Sequence, residues 1–161
     1  MLVKVLVAYY SQSGDTRKIA KLIRQKTDGK IFEIEPVTPY QGEYDAIIEQ
    51  AKKDAENGVR PPLKALPESL EPYDTIFVGT PNWWSKVAPP VATFLTSCDL
   101  SGKVIVPFSS HGGGGAGEIE ANIAELCPDS TIKPGFVLPG NTSSRPEDLV
   151  EAWLREIGIV K

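Results

Sequence analysis

Leu2-Val3-Lys4-Val5-Leu6-Val7-Ala8 is a short, nearly continuous apolar run, the pattern of a strand buried on both faces of a parallel sheet. Tyr9-Tyr10 leads from it into Ser11-Gln12-Ser13-Gly14-Asp15-Thr16, a turn rich in hydroxyls with one glycine. Residues 16–25 then place Ile19, Ala20, Leu22 and Ile23 on one helical face, with charges opposite. Strand, polar turn and amphipathic helix make one βα unit, and the same alternation recurs to the end of the chain.

Residues 31–35 read as a second strand and 44–56 as a charged helix, after which Arg60-Pro61-Pro62 acts as a connector. Pro72-Tyr73-Asp74 enters a third strand at 75–79. Pro89 and Pro90 open the next helix, where a missing N–H costs nothing, and residues 91–95 supply its apolar face. A fourth strand at 103–108 and a helix at 118–126 follow. The fifth strand, 131–138, is broken or bent at Pro134-Gly135. The closing helix, 146–157, turns Leu149, Val150, Trp153, Leu154 and Ile157 inward.

Without repeats, linkers or low-complexity tracts, the 161 residues read as one domain, 1–161. Alternating strands and helices predict an α/β fold, a parallel sheet with helices on both faces. With 41% hydrophobic and 24% charged residues, the composition excludes a disordered or coiled-coil chain. A formal charge of −4 argues against nucleic acid as a partner. No apolar stretch is long enough to span a membrane, and the first residues lack a signal peptide's h-region, so a soluble, cytoplasmic protein is expected. Asn141-Thr142-Ser143 is then a sequon by accident of loop composition. Cys98 and Cys127 fit no zinc or CxxC spacing and read as reduced thiols near helix ends.

In such sheets a ligand lies beyond the carboxyl ends of the strands, where the winding reverses. Three loops therefore matter. In the first, the hydroxyls and glycine of residues 11–16 at a helix start suit a phosphate. No lysine is present, so this is not a Walker loop. The competing reading is that Ser13 or Asp15 only caps the helix. In the second, Thr80-Pro81-Asn82-Trp83-Trp84-Ser85, two adjacent tryptophans cannot share one core pocket, so at least one is expected to face a ligand or partner. Stacking a planar ring on indole contributes roughly 0.5–1.5 kcal/mol beyond area burial. The alternative is that both cover the sheet end.

In the third loop, Ser109-Ser110-His111 precedes Gly112-Gly113-Gly114-Gly115-Ala116-Gly117. The run matches GxGxxG, but a dinucleotide fingerprint belongs to the first βα turn, with an acidic residue about 20 positions on. Here the later stretch reads Thr131-Ile132-Lys133-Pro134. These glycines better serve to bring main-chain groups against the polar edge of a flat ligand. His111, the single histidine, reads as a hydrogen-bonding loop residue, with a catalytic base as the alternative, and no neighbouring ligand supports a metal site.

A terminal phosphate, a planar ring and a polar edge read by backbone describe flavin mononucleotide. The sequence resembles the flavodoxin family, in its small single-domain branch. The match rests on Val7 through Thr16, on Pro81-Asn82-Trp83-Trp84 with Ala88-Pro89-Pro90 and Thr93-Phe94-Leu95, and on Asp99-Leu100-Ser101-Gly102-Lys103. Pro107-Phe108, His111 with its glycines, and Leu126-Cys127-Pro128 complete it. The resemblance implies a three-layer, doubly wound, five-stranded sheet in order 2-1-3-4-5, with FMN bound noncovalently. It implies that Ser11, Gln12, Ser13, Gly14, Asp15 and Thr16 hold the phosphate. Pro81, Asn82, Trp83, Trp84 and Ser85 would flank the ring, Trp84 stacking on it, and Ser110, His111, Gly112 and Gly113 would meet its pyrimidine side. No residue is assigned a catalytic or metal-binding role.

Three departures from the family pattern follow. Asp15 stands where Asn is usual, and its carboxylate repels a phosphate unless it turns away. Ser85 stands where Gly is usual. If the reduced form needs a flipped peptide with positive φ there, a Cβ adds roughly 1–2 kcal/mol, and a weak semiquinone is expected. The glycines stand where many family members place a second stacking tyrosine, which leaves one flavin face open. The resemblance implies an electron carrier with a redox partner protein, a flavin reductase or an electron acceptor, working as a monomer or weak homodimer. An FMN-dependent NAD(P)H:quinone or nitro-compound reductase is the alternative. A phospho-receiver is disfavoured by Val78-Gly79-Thr80, and a small tyrosine phosphatase by the lack of cysteine in the first loop. Glu43, Asp45 and Glu118 either steer a basic partner or are ordinary solvated charges.

Overall fold

The computed structural model describes residues 4–11, 14–81, 83, 86–110, 117–138 and 145–160. In chain order the elements are β1 (Val5–Tyr9), α1 (Asp15–Thr27), β2 (Lys30–Glu33), α2 (Tyr44–Glu56), β3 (Thr75–Gly79) and α3 (Pro89–Ser97). They continue through β4 (Val104–Ser110), α4 (Gly117–Leu126), β5 (Thr131–Ile132), β6 (Phe136–Leu138) and α5 (Pro146–Glu156). All strand pairs are parallel, in the order β2-β1-β3-β4-β5, with β6 also on β4. The short β5 and β6 are the two halves of the fifth strand expected at 131–138. The break falls at Pro134-Gly135, where proline has no N–H to give the ladder.

Side chains alternate across a strand, and this sorts the core into two halves. Val5, Val7 and Tyr9 of β1, with Phe77, Val106 and Phe108, meet Ile19, Ala20 and Ile23 of α1 and Val150, Trp153 and Leu154 of α5. Leu6, Ala8 and Tyr10, with Ile76, Val78 and Ile105, meet Ile47 and Ala51 of α2, Val91 and Phe94 of α3, and Ile119 and Ile123 of α4. Helices therefore cover both faces, as the doubly wound reading requires. The third helix is buried from Pro89 to Leu95 because the α2–β3 connector crosses it, where the Thr93 hydroxyl donates to the Pro61 carbonyl at 2.8 Å.

Element ends differ from the sequence reading by one to several residues. Strand β1 continues to Tyr9, which still pairs with Glu33 and Gly79, and β4 continues to Ser110 because β6 pairs with its last three residues. Helix α1 extends to Thr27 and stops at Asp28, whose φ of 56° ends the helical geometry. Strand β2 is shorter than expected and carries exposed Lys30 and Ile31, as suits a sheet edge. Among the described residues, no helix is long and apolar enough to cross a membrane.

Candidate functional site

The three loops singled out by the sequence leave three neighbouring strands at one level of the sheet. Tyr9 at the end of β1 is in register with Gly79 at the end of β3, and Gly79 with Phe108 near the end of β4. Strands lie about 4.8 Å apart, so the three loop origins span roughly 10 Å, a width that suits a three-ring ligand. Backbone bonds fix the level: the Tyr10 N–H donates to Gly79 O at 3.0 Å and the Thr80 N–H to Phe108 O at 3.1 Å.

Gly79 makes this edge compact. A Cβ there would come within 2.4 and 2.5 Å of the Phe108 ring and 2.9 Å of Thr16 Cγ2. With no side chain at Gly79, Phe108 crosses beneath the start of α1, and Thr16 packs down on the sheet at 2% exposure.

In the first loop, Ser11 Oγ accepts a hydrogen bond from the Gly14 N–H at 2.9 Å, which leaves the serine O–H to be directed elsewhere. Gly14 itself is the N-cap of α1, with φ 97°. The cap is therefore neither Ser13 nor Asp15. A Cβ at Gly14 would meet nothing within 4 Å, so the cap faces open space at the positive end of the helix dipole. Asp15 is the first helical residue, where a carboxylate stabilises the helix but opposes an incoming anion. Gln12 and Ser13 lie outside the described residues.

In the first turn of α1, Arg17 is engaged by the ends of β1 and β2. Arg17 Nη2 donates to Glu33 Oε2 at 2.6 Å and Arg17 Nε to the Tyr9 hydroxyl at 3.3 Å. These bonds hold the guanidinium above its ordinary pKa and tie the first turn of α1 to the ends of β1 and β2. Burial raises the Tyr9 hydroxyl above its usual value despite the Arg17 bond. A cavity of about 180 Å³, lined among others by Tyr10, Ser11, Glu33, Glu35 and Pro39, adjoins the loop on this side.

The second loop is held at both ends by one side chain. Thr80 is fully buried, and its hydroxyl donates to Pro81 O at 2.8 Å while accepting from the Ala88 N–H at 2.9 Å. Inside the loop, Trp83 and Lys86 exchange backbone bonds of 3.2 and 3.1 Å. The Val87 N–H donates to Asn122 Oδ1 of α4 at 3.0 Å.

Trp83, expected to flank a ligand with its neighbour, has its indole in the core at 5% exposure. Its ring meets the Tyr10 and Tyr40 rings edge-on, at centroid distances of 6.0 and 5.9 Å. Tyr40 is anchored by a hydrogen bond from its hydroxyl to Asp54 Oδ2 of α2 at 2.8 Å. Burial pushes the Tyr10 pKa up to about 12, and burial together with the Asp54 carboxylate raises that of Tyr40 further. The indole thus supports the loop from below. Any stacking role in the pair falls to Trp84, which with Asn82 and Ser85 lies outside the described residues. Pro81 is described and half-buried at the loop entrance.

The third loop begins from Ser109, 2% exposed, and from Ser110, whose backbone pairs with Leu138. His111, Gly112 and Gly113 lie outside the described residues. Among the described residues, no group of three or more His, Cys, Asp or Glu could hold a metal. Cys98 and Cys127 are free thiols at the ends of α3 and α4, and burial pushes both pKa values up to about 11, far from an activated thiolate.

Four residues that shape this edge escape the sequence reading. Gly79 and Thr80 sit at the strand-to-loop boundary, and a glycine followed by a hydroxyl residue after a buried strand is a readable signal. Tyr40 and Asn122 carry no such signal. Asn122 lies 35 positions from its partner Val87, and only the folded chain brings them together.

Comparison with known proteins agrees with this architecture. A family model described as Flavodoxin matches residues 4–157. Among solved structures, a candidate flavoprotein from Bacteroides eggerthii DSM 20697 is 30% identical, with a TM-score of 0.84 over 98% of this chain and 99% of that one. A second, from Bacteroides uniformis ATCC 8492, is 29% identical, with a TM-score of 0.82 over 96% and 99%. A flavoprotein from Lactobacillus acidophilus NCFM, solved in complex with FMN, shares the fold at 21% identity and a TM-score of 0.74, covering 84% of this chain and 93% of that one. With a family match across almost the whole chain and the strand order 2-1-3-4-5, this protein belongs to the flavodoxin family.

Proposed function

We propose that the protein binds FMN noncovalently across the carboxyl ends of β1, β3 and β4 and serves as an electron carrier between protein partners. The observation that carries this reading is the common level of the three loop origins, which gives one ligand access to a helix start, a loop with an aromatic floor and a backbone-rich edge. Family membership supports a flavin-binding redox protein, and the Lactobacillus acidophilus relative is a fold neighbour bound to FMN. When bound, FMN supplies the electron chemistry, while the chain supplies position and field.

In this reading Ser11 donates its hydroxyl proton to the phosphate while its oxygen holds Gly14. The open cap at Gly14 admits the anion to the start of α1, as the space around it allows. Gln12, Ser13, Asp15 and Thr16 complete the phosphate turn. Pro81, Asn82, Trp84 and Ser85 flank the ring above the buried Trp83 indole, and Ser110, His111, Gly112 and Gly113 meet its polar edge. A carrier of this kind needs no general base.

Purified protein is expected to be yellow, to release the pigment on boiling, and to regain it from added FMN with one-to-one stoichiometry. Loaded protein is expected to oxidise NAD(P)H only when a separate flavin reductase is added. Steady turnover of NAD(P)H with a quinone in the absence of that reductase would establish the reductase alternative. Absence of FMN binding would remove both readings.

A further inference from the structure

The second loop, in its described residues Pro81, Trp83 and 86–88, is restrained from three directions. Thr80 joins its two ends through one hydroxyl, and Trp83 is wedged between Tyr10 and Tyr40 below it. The third restraint comes from α4, where Asn122 Oδ1 accepts the Val87 N–H at 3.0 Å. Helix α4 is the element into which the glycine segment after β4 feeds. This bond therefore ties the segment that closes the second loop to the helix that follows the third loop in sequence.

We infer that Asn122 is a positioning residue, setting the height of the loop at residues 81–88 against α4 and so the fit of the bound flavin ring. The inference rests on the FMN reading above. Asparagine is a poor helix former, and in the second turn of α4 alanine would be intrinsically favoured by several tenths of a kcal/mol. Its place there is explained by the tertiary bond. The amide is half-buried and borders a cavity of about 190 Å³ shared with Val87, Lys86 and Arg60. Water can enter there if the side chain is shortened and satisfy the Val87 N–H. Loss of the bond thus moves the loop without unfolding the domain.

Asn122→Ala and Asn122→Leu remove the acceptor; Asn122→Asp keeps one at the same reach. For the alanine and leucine variants we expect the Val87 amide of the FMN-free protein to exchange hydrogen at least about tenfold faster. FMN binding, read by flavin fluorescence quenching, is expected to weaken by about threefold to tenfold, with an altered visible circular dichroism band. The urea midpoint of the FMN-free Asn122→Ala variant is expected to stay at the wild-type value, since water reaches the Val87 N–H there. Asn122→Asp is expected to match wild type in exchange, affinity and dichroism.

Unchanged FMN affinity and dichroism in Asn122→Ala would overturn the inference. So would an Asn122→Asp variant as weak as Asn122→Ala, or a fall in urea midpoint that accounts for the lost affinity. If wild-type protein itself binds no FMN, the functional reading fails first and the inference falls with it, a result distinguishable because it appears before any variant is made.

Discussion

Gly79 shows how much of this site depends on one missing side chain. It lies between the Phe108 ring and Thr16, and an added methyl would sit 2.4 Å from one ring carbon. Neither neighbour can retreat freely, since Phe108 is 1% exposed and Thr16 2%. Gly79→Ala is therefore expected to destabilise the protein by about 1–3 kcal/mol in urea unfolding. It is also expected to weaken FMN binding, because Thr16 belongs to the first turn of α1. A double-mutant cycle with Phe108→Leu should give a combined loss smaller than the sum of the two, since a smaller side chain relieves the clash. Strict additivity would show that the two residues do not share this space. The Arg17–Glu33 pair makes a contrasting case. Both side chains are more than a third exposed, and such pairs contribute little to stability. Its structural effect is to tie the first turn of α1 to the ends of β1 and β2.

At the scale of elements, α5 secures the broken fifth strand. Trp153 packs edge-on against Phe77 of β3 and at a tilt against Phe136 of β6, and its indole N–H donates to Pro134 O at 3.1 Å. The proline break frees that carbonyl from the ladder, and the indole takes it up. Trp153→Phe retains most of the packing but leaves the carbonyl without this donor, so a loss of about 1 kcal/mol is expected. Trp153→Ala removes both and is expected to cost about 3–5 kcal/mol. Equal losses for the two variants, measured by urea denaturation, would show that packing contributes little here. Strand β2 follows the opposite strategy. It lies at the sheet edge, paired only with β1 among the described residues, and presents Lys30 outward.

For the whole molecule, pH acts through groups the fold keeps neutral. Cys98 and Cys127 move from the ordinary 9.0 to about 11, and Tyr10 from 10.0 to about 12, in each case chiefly by burial. The unfolded chain loses these protons first as pH rises. Their contribution is thus fully present below about pH 9 and is lost progressively toward pH 11–12. Urea midpoints are expected to be level from pH 7 to 8.5 and to fall steadily from 9 to 11. Cys98→Ala should flatten that fall in part, and an identical slope in the variant would exclude the thiol as a contributor.

Much of this could be read from the chain itself. Local periodicity is a short-range property, and the apolar run before Ser11, the helical face of Ile19, Ala20 and Ile23, and the Pro134-Gly135 break each follow from a dozen residues or fewer. The alternation of strands and helices then predicts the parallel sheet, and the resemblance its order. What the sequence could not supply was which residues meet across long separations. The residues alone do not separate Trp83 from Trp84; the resemblance singles out Trp84 for stacking, and packing against Tyr10 and Tyr40 commits Trp83 to the core. Asn122 reads as an ordinary helix residue until Val87, 35 positions earlier, arrives beside it. The restriction on Gly79 likewise exists only because Phe108 and Thr16 converge there. Local order was settled by the chain's own pattern, and the site's walls by contacts that form only when distant segments share one sheet edge.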